Sequence, residues 1–399
     1  MLKEKIDDLV DIITEEYSRI ENTFLIRNNQ QLIKYVENPA KWKAEQIAHR
    51  NAYKKELVRE AQNRLAILNA KAEKVLLLSY QEVDKDIIKI SETEIEVNEK
   101  FKDEIEGRIK ELRQKNELAV KVLANESFKT YERTVRLISY TSNADNLFEV
   151  IKRQMPKGIE NGIKVAYKNG REMNWKSYME MDTRTTLQTE TSARQIQAGA
   201  LAGQIFYVCD SFADCAKDHA DYQGKIYYNA EAKLTKEAED YIRANGIKSM
   251  QEVRDGEPYL TTRPNCRHNF HAVPTDTVVS GTPASKIVEQ EGFKFGEYKD
   301  SNYKDLQQQR YNERKIREWK TRLENERQIA KTTGIPNPKA EAQARHKVSE
   351  WQGKQRELIN SNPEVLQRNY DRESAKIVVE DLGVRYRYKV IDGELVKKK

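Results

Sequence analysis

The segment Arg263-Pro264-Asn265-Cys266-Arg267-His268-Asn269-Phe270-His271 carries a cysteine and two histidines within its last six residues. All three cysteines of the 399-residue chain, and three of its five histidines, lie between residues 209 and 271. Thiol and imidazole groups gathered into two short runs indicate a metal site, a catalytic nucleophile or a closely packed structural cluster. Each of these alternatives requires the fold to bring this segment against the earlier run, residues 209–219.

The metal hypothesis uses four ligands drawn from both runs, and zinc is the ion that such a set favours. Cys215 and His219 are four residues apart and would share one face of a helix. Cys266 and His268 would complete a tetrahedral site, with two alternates, Cys209 and His271. However, no Cys-x-x-Cys occurs, and Cys209-x5-Cys215 is looser than the usual spacing of a zinc knuckle. A packed, hydrogen-bonded cluster without metal therefore stays open.

A nucleophilic cysteine is the second alternative. Cys266 or Cys215 beside a histidine would form a thiol dyad, which a carboxylate could orient. Four aspartates are available for that role, Asp210, Asp214, Asp218 and Asp221. As a group, these aspartates are expected to form a solvated helix face and not a cation site, because the Asp-x-Asp-x-Asp-Gly pattern of a calcium loop is missing. The glycine-rich phosphate-binding motifs GxGxxG and GxxxxGK[ST] are missing as well.

The composition indicates long, exposed helices packed along narrow apolar seams. Hydrophobic residues make up 38% of the chain and charged residues 34%, and the mean hydropathy is −0.87. The net charge of +6 is mixed, so charge alone does not demand nucleic acid. Three cysteines argue against a disulfide scaffold and for synthesis in a reducing cytoplasm. The longest apolar stretches are too short to span a bilayer, so we expect no membrane partner.

Glycine and proline divide the chain into three predicted domains. Residues 40–155 contain one glycine and no proline, and apolar residues recur there at helical spacing. We therefore predict a helical assembly arm over residues 1–128, an antiparallel bundle or coiled coil. Residues 129–280 form an α+β core with helices near 175–199 and 233–244 and strands near 205–208 and 226–228. The predicted fold class is thus α+β, predominantly helical.

Residues 281–399 are predicted to be a charged helical extension that ends in a small β-hairpin. Its helices cover about 305–330 and 340–359, and the first interleaves arginines with glutamates as a salt-bridged, solvated helix does. The tail is more purely basic. Its six cationic residues are the candidate contacts to DNA or to an acidic partner: Arg385, Arg387, Lys389, Lys397, Lys398 and Lys399.

Three ordered motifs resemble a known family. The first is Asn169-Gly170-Arg171, followed by the stretch from Ser177 to Thr186. The second runs from Cys215-x3-His219 to Gln223-Gly224-Lys225, and the third is Asn265-Cys266-Arg267-His268. Together they resemble the phage minor capsid protein 2 family, related to Mu F-type head morphogenesis proteins, over residues 130–280.

The resemblance implies a minor structural protein of the virion, associated with the portal protein and other head proteins. It implies a role in procapsid assembly and in handling or delivering DNA, without enzymatic activity. Many relatives have two close cysteines before the histidine and a second cysteine in the closing motif, where this chain has His268. Our leading hypothesis is therefore a phage-head protein in which the Cys/His cluster stabilises the α+β core. A phage-borne hydrolase or toxin, and a DNA-binding module acting through the tail, are the rivals.

Overall fold

The computed structural model describes residues 2–36, 38–93, 95, 99–143, 145–147, 150–151, 153–154, 163–166, 170, 172–290, 296, 298–333, 336–370, 372–375, 388–391 and 394–397. The helices are α1 Leu2–Ile33, α2 Pro39–Ser91, α3 Glu99–Thr141, α4 Trp175–Leu201, α5 Lys236–Asn245, α6 Met250–Asp255, α7 Thr275–Val279, α8 Ala284–Gln290, α9 Asp300–Thr333 and α10 Pro338–Ser361. The strands are β1 Lys164–Ala166, β2 Glu172–Asn174, β3 Phe206–Cys209, β4 Ile226–Tyr228, β5 Phe270–Val273, β6 Tyr388–Ile391 and β7 Glu394–Lys397. The predominantly helical α+β class is confirmed.

The long helices α2 and α3 follow from the scarcity of helix breakers. At 1.5 Å per residue, the 53 residues of α2 span about 80 Å. The helix begins with Pro39 in its first turn and ends where Glu92 adopts a left-handed conformation. The predicted domain boundary between residues 128 and 129 lies inside α3, which continues to Thr141.

Helix α1 lies inside the bundle and packs against α2, α3 and α4. The apolar seam read from its sequence is buried throughout, each side chain being at most 5% exposed: Ile6, Leu9, Val10, Ile13, Tyr17, Ile20 and Phe24. One apolar cluster runs from Ile6 through α2 and α3 to Ala202 at the end of α4. The helical arm therefore shares its core with the first helix of the α+β region.

Polar contacts inside the bundle set the register of its helices. Tyr17 on α1 donates to Asn116 on α3 at 2.7 Å. Tyr131 on α3 donates to Gln46 on α2 at 2.6 Å, and Gln46 in turn donates to the carbonyl of Gln31 at the end of α1. A shift of one helix along another would leave these buried groups without partners, which costs about 1–3 kcal/mol for each group.

The three-stranded antiparallel sheet has the order β4-β3-β5, so β5 is an edge strand. Phe206 pairs with Tyr228 on one side and with Val273 on the other. Helix α4 packs close to the central strand at Gly199, where an added Cβ would lie 1.8 Å from the Tyr207 hydroxyl. The predicted strands near 205–208 and 226–228, and the helix predicted near 175–199, are confirmed.

The two charged helices predicted for the extension are present as α9 and α10, and the structure packs them as an antiparallel pair. The arginine-rich helix α9 forms ion pairs with its own acids and with neighbouring helices. Arg317 contacts Glu180 of α4 at 3.4 Å, and Arg327 contacts Glu341 of α10 at 3.2 Å. The terminal hairpin is confirmed, with Tyr388 opposite Lys397. Of the predicted DNA contacts, Arg385, Arg387, Lys398 and Lys399 lie outside the described residues.

The close approach at Gly199 gives a test of the packing between α4 and β3. Gly199→Ala should lower the free energy of unfolding by about 1–3 kcal/mol, because its Cβ overlaps the Tyr207 hydroxyl. Adding Tyr207→Phe, which removes that hydroxyl, should recover part of the loss. Gly107→Ala on α3 is the matched control, since no atom lies within 4 Å of its Cβ position and alanine should stabilise the helix by about 0.5–1 kcal/mol. Urea unfolding measures all four proteins, and equal stability of the two single variants would contradict this packing.

A buried carboxyl on α1 gives the stability of the fold a dependence on pH. Glu21 is 6% exposed and accepts a hydrogen bond from the Ile163 N–H at 3.1 Å. Burial raises the pKa of Glu21 to about 7, although the Ile163 N–H and Lys176 favour the charged form. Because the folded-state pKa lies above the ordinary value of 4.5, the folded protein keeps a proton that the unfolded chain has released. Stability therefore falls as the pH rises from about 4.5 to about 7.

Glu21→Gln should flatten this dependence, because glutamine still accepts from the Ile163 N–H and carries no charge. We expect the variant to exceed the wild type in unfolding free energy by up to about 3 kcal/mol at pH 8 and to match it near pH 4. Urea unfolding across this range is the measurement, with the exposed residue Glu106→Gln as control. Parallel curves for wild type and Glu21→Gln would contradict the prediction.

Candidate metal centre

Three of the four predicted ligands meet in the interior beside the sheet. His219 ends a single 3-10 turn, Lys217–His219, that follows β3. Cys266 and His268 lie on the segment that leads into β5. All three are buried, at 2%, 8% and 3% exposure. Among the described residues, they form a group whose ligand atoms lie within 4.8 Å of one another. The two runs of the sequence therefore do converge.

The three ligand atoms form a nearly equilateral triangle. Nδ1 of His219 lies 3.3 Å from Nδ1 of His268. Sγ of Cys266 lies 3.4 Å from Nδ1 of His268 and 3.7 Å from Nδ1 of His219. The rings of Phe212 and His268 pack beside this triangle, with their centroids 5.2 Å apart.

Hydrogen bonds on the far side of each ring set the histidine tautomers. Nε2 of His219 lies 3.1 Å from the Pro258 carbonyl oxygen, which can only accept, so Nε2 carries the proton. Nε2 of His268 lies 3.0 Å from Oε1 of Gln223. The amide of Gln223 is oriented by the backbone of Phe212, which donates to Oε1 and accepts from Nε2. His268 must therefore also donate from Nε2.

Cys215 does not join this group, which corrects the placement expected from its spacing. Residues 211–216 do not form the expected helix, and the Cys215 N–H instead bonds to the carbonyl of Phe212 in a turn. The helical turn that follows is of the 3-10 type, with three residues per turn, so positions four apart do not share a face. Cys209 lies on β3 opposite Phe270, outside the group.

His271, the other alternate ligand, has a different partner. It forms an ion pair with Asp210, which is 2% exposed and also accepts from the Asn269 N–H at 2.9 Å. Burial opposes the charge on Asp210, but His271 and the neighbouring donors outweigh it and lower the pKa of that carboxyl. The expectation that Asp210 lies on a solvated helix face is therefore wrong. A strand end next to a histidine offers it side-chain and backbone donors that a solvated helix face would not.

Buried glutamines, which the sequence did not indicate as important, hold residues 268–273 in place. We call these residues the closing segment. Gln188 and Gln195 on α4 donate to the carbonyls of His268 and Phe270 at 2.7 and 2.6 Å. Gln204 donates to the carbonyls of Phe206 and Val273. Their spacing of seven residues puts Gln188 and Gln195 on one face of α4. Two glutamines at this spacing on the core-facing surface of a helix were the sequence signal that could have indicated these contacts.

The loop that delivers Cys266 is held in an unusual backbone conformation. Three non-glycine residues have positive φ, namely Tyr259 at 59°, Thr261 at 74° and Asn265 at 63°. A β-branched residue such as Thr261 is strained there, at a cost of about 1–3 kcal/mol. Strain of this kind persists where other contacts determine the loop. One such contact is the bond from the Thr261 N–H to Sγ of Cys266 at 3.2 Å.

The three thiols lack the features of a nucleophile. Cys209, Cys215 and Cys266 are free and buried. Burial raises the pKa of Cys209 and of Cys266 and raises that of Cys215 to about 12. Burial also lowers the pKa of His219, so its imidazole is poorly suited to hold a proton taken from a thiol. A reactive thiolate needs access and a lowered pKa. The geometry therefore favours a structural cluster.

Comparison with known families assigns the class of protein. The family model described as phage minor capsid protein 2 matches residues 1–360 of the 399-residue chain. The protein is thus a structural protein of the phage head, located in the virion. It belongs to the phage minor capsid protein 2 family. The match is wider than the resemblance over residues 130–280, because it includes the helical arm and α10.

No curated protein and no solved structure matches the chain. Among the described residues, none of the helices has both the length and the apolar character that a membrane span requires.

Proposed function

We propose that the protein is a portal-associated minor head protein that acts in procapsid assembly. The family match over residues 1–360 carries this proposal. The shape of the molecule supports it, since α2 and α3 form a long arm joined to the rest of the protein through a shared apolar core. Such an arm offers a rigid, extended surface for contacts with other head proteins.

One end of the arm carries exposed apolar side chains that suit such a contact. Tyr140 and Leu137, near the end of α3, are 85% and 45% exposed, and Ile47, near the start of α2, is 51% exposed. The two helix ends lie side by side, because Arg50 on α2 lies 3.9 Å from Glu132 on α3. These three exposed side chains on neighbouring helix ends are our candidate contact between the arm and other head proteins.

Incorporation into heads tests the proposal. We expect the wild-type protein to copurify with phage heads and with the portal protein. A Leu137→Asp/Tyr140→Asp double variant should stay folded, since both side chains are exposed, and should be lost from heads, because charge at the contact is desolvated on binding. Leu118→Asp, also on α3 and 65% exposed, is the matched control and should be incorporated normally.

Mass spectrometry of purified particles gives the copy number of each variant. A wild-type protein that is free in the cytosol and missing from particles would overturn the proposal. Normal incorporation of the double variant would move the contact away from this end of the arm.

We further propose that the basic tail contacts DNA during packaging or delivery. The six candidate contacts lie beyond residue 360, outside the part that the family model matches. The tail can therefore be removed after residue 375. This preserves the last described contact of that region, the bond from Lys176 to the Ala375 carbonyl.

Deletion of residues 376–399 should leave assembly intact and weaken retention on DNA. Each phosphate contact contributes about 0.9 to the slope of log affinity against log salt, so the slope should fall by up to about five. DNA-cellulose retention at several salt concentrations is the measurement. Salt-sensitive retention that survives the deletion would rule out the tail as the contact.

A further inference from the structure

We propose that His219, Cys266 and His268 are the protein ligands of a single tetrahedral zinc ion. In this site His219 and His268 bind through Nδ1 and Cys266 through Sγ. The ion would join the turn after β3 to the segment that enters β5. This inference does not depend on where in the head the protein acts.

The distances between the three atoms match one face of a zinc tetrahedron. With Zn–N near 2.05 Å and Zn–S near 2.3 Å, tetrahedral geometry places two nitrogens about 3.3 Å apart and a nitrogen and a sulfur about 3.6 Å apart. The observed separations are 3.3 Å for the nitrogens and 3.4 and 3.7 Å for the two sulfur–nitrogen pairs. All three observed separations therefore lie within about 0.2 Å of those expected for ligands of one zinc ion. A deviation of this size is usual for a zinc site.

The protonation pattern leaves lone pairs pointing at one another. Both histidines donate from Nε2, to Pro258 and to Gln223, so Nδ1 of each neutral ring is an acceptor. Two ring nitrogens and one sulfur therefore face one another across the triangle. A cation between the three atoms satisfies all of them at once. The Nε2 hydrogen bonds are also the outer contacts that orient metal-bound imidazoles.

Two backbone donors lie beside the sulfur of Cys266. The N–H groups of Thr261 and His268 bond to Sγ, and they act against the burial that raises the pKa of this thiol. The Thr261 N–H makes this bond from a residue with a positive φ of 74°. A metal bond to Cys266 would supply the further contact that holds this strained loop.

Metal analysis of the full-length protein, purified from zinc-containing medium, is the first test. We expect one zinc per chain. The apoprotein titrated with Co²⁺ should show the visible bands of tetrahedral cobalt and the ultraviolet charge-transfer band of one thiolate ligand. Wild type that binds neither ion would overturn the proposal and leave a hydrogen-bonded cluster. Because this test uses the native chain, it does not depend on whether any variant folds.

Variants then test the ligand set. Cys266→Ser should lose the thiolate band and bind zinc at least tenfold more weakly, and His219→Ala should lose the tetrahedral spectrum. Cys215→Ser is the matched control, a buried cysteine of the same region that lies outside the triangle, and it should bind one zinc as the wild type does. Loss of zinc from Cys215→Ser would overturn the three-ligand assignment. Retention of the thiolate band in Cys266→Ser would do the same.

Discussion

The outer edge of strand β5 is the constraint on which the rest of the core depends. In the order β4-β3-β5, this strand has one neighbour, so its outward carbonyls must be satisfied by something other than a strand. Gln188 and Gln195 of α4 supply the donors, at 2.7 and 2.6 Å from the carbonyls of His268 and Phe270. A three-stranded sheet of three- and four-residue strands is marginal by itself, so it needs packing from helices, and the attachment to α4 adds to the apolar packing of the shorter helices.

The same attachment links the sheet to the helical arm. The buried apolar residues of α4 extend the core of α1, α2 and α3, while its glutamines hold β5. Arg194, on the same helix, forms two 2.7 Å bonds with Asp84 of α2. Helix α4 therefore contributes to both units and is fixed to the arm on one side and to the sheet on the other.

Sequence patterns predicted the helices more accurately than the members of the Cys/His cluster. The reason is that a helix pattern is local in the chain, whereas the cluster joins distant residues. The seam from Ile6 to Phe24 is a local pattern, and the structure buries all of it. The strands around Phe206 and Tyr227 are likewise local. In contrast, the role of Cys215 was inferred from helical spacing, and the chain forms turns there instead. Whether residues 80 positions apart, such as Gln188 and His268, meet is decided by the packing of whole elements, which a local pattern does not contain.

The Cys/His cluster and the glutamines of α4 both hold the closing segment, through different contacts. Gln188 and Gln195 bond to the backbone of the closing segment, and Gln188 also donates to Oδ1 of Asn269 at 2.6 Å. The contacts among His219, Cys266 and His268 join the loop before β5 to the turn after β3. Gln223 adds a further link, since it bonds to the backbone of Phe212 and to the ring of His268. The closing segment is thus held through its backbone and through its side chains, directly after a loop in which Tyr259, Thr261 and Asn265 have positive φ.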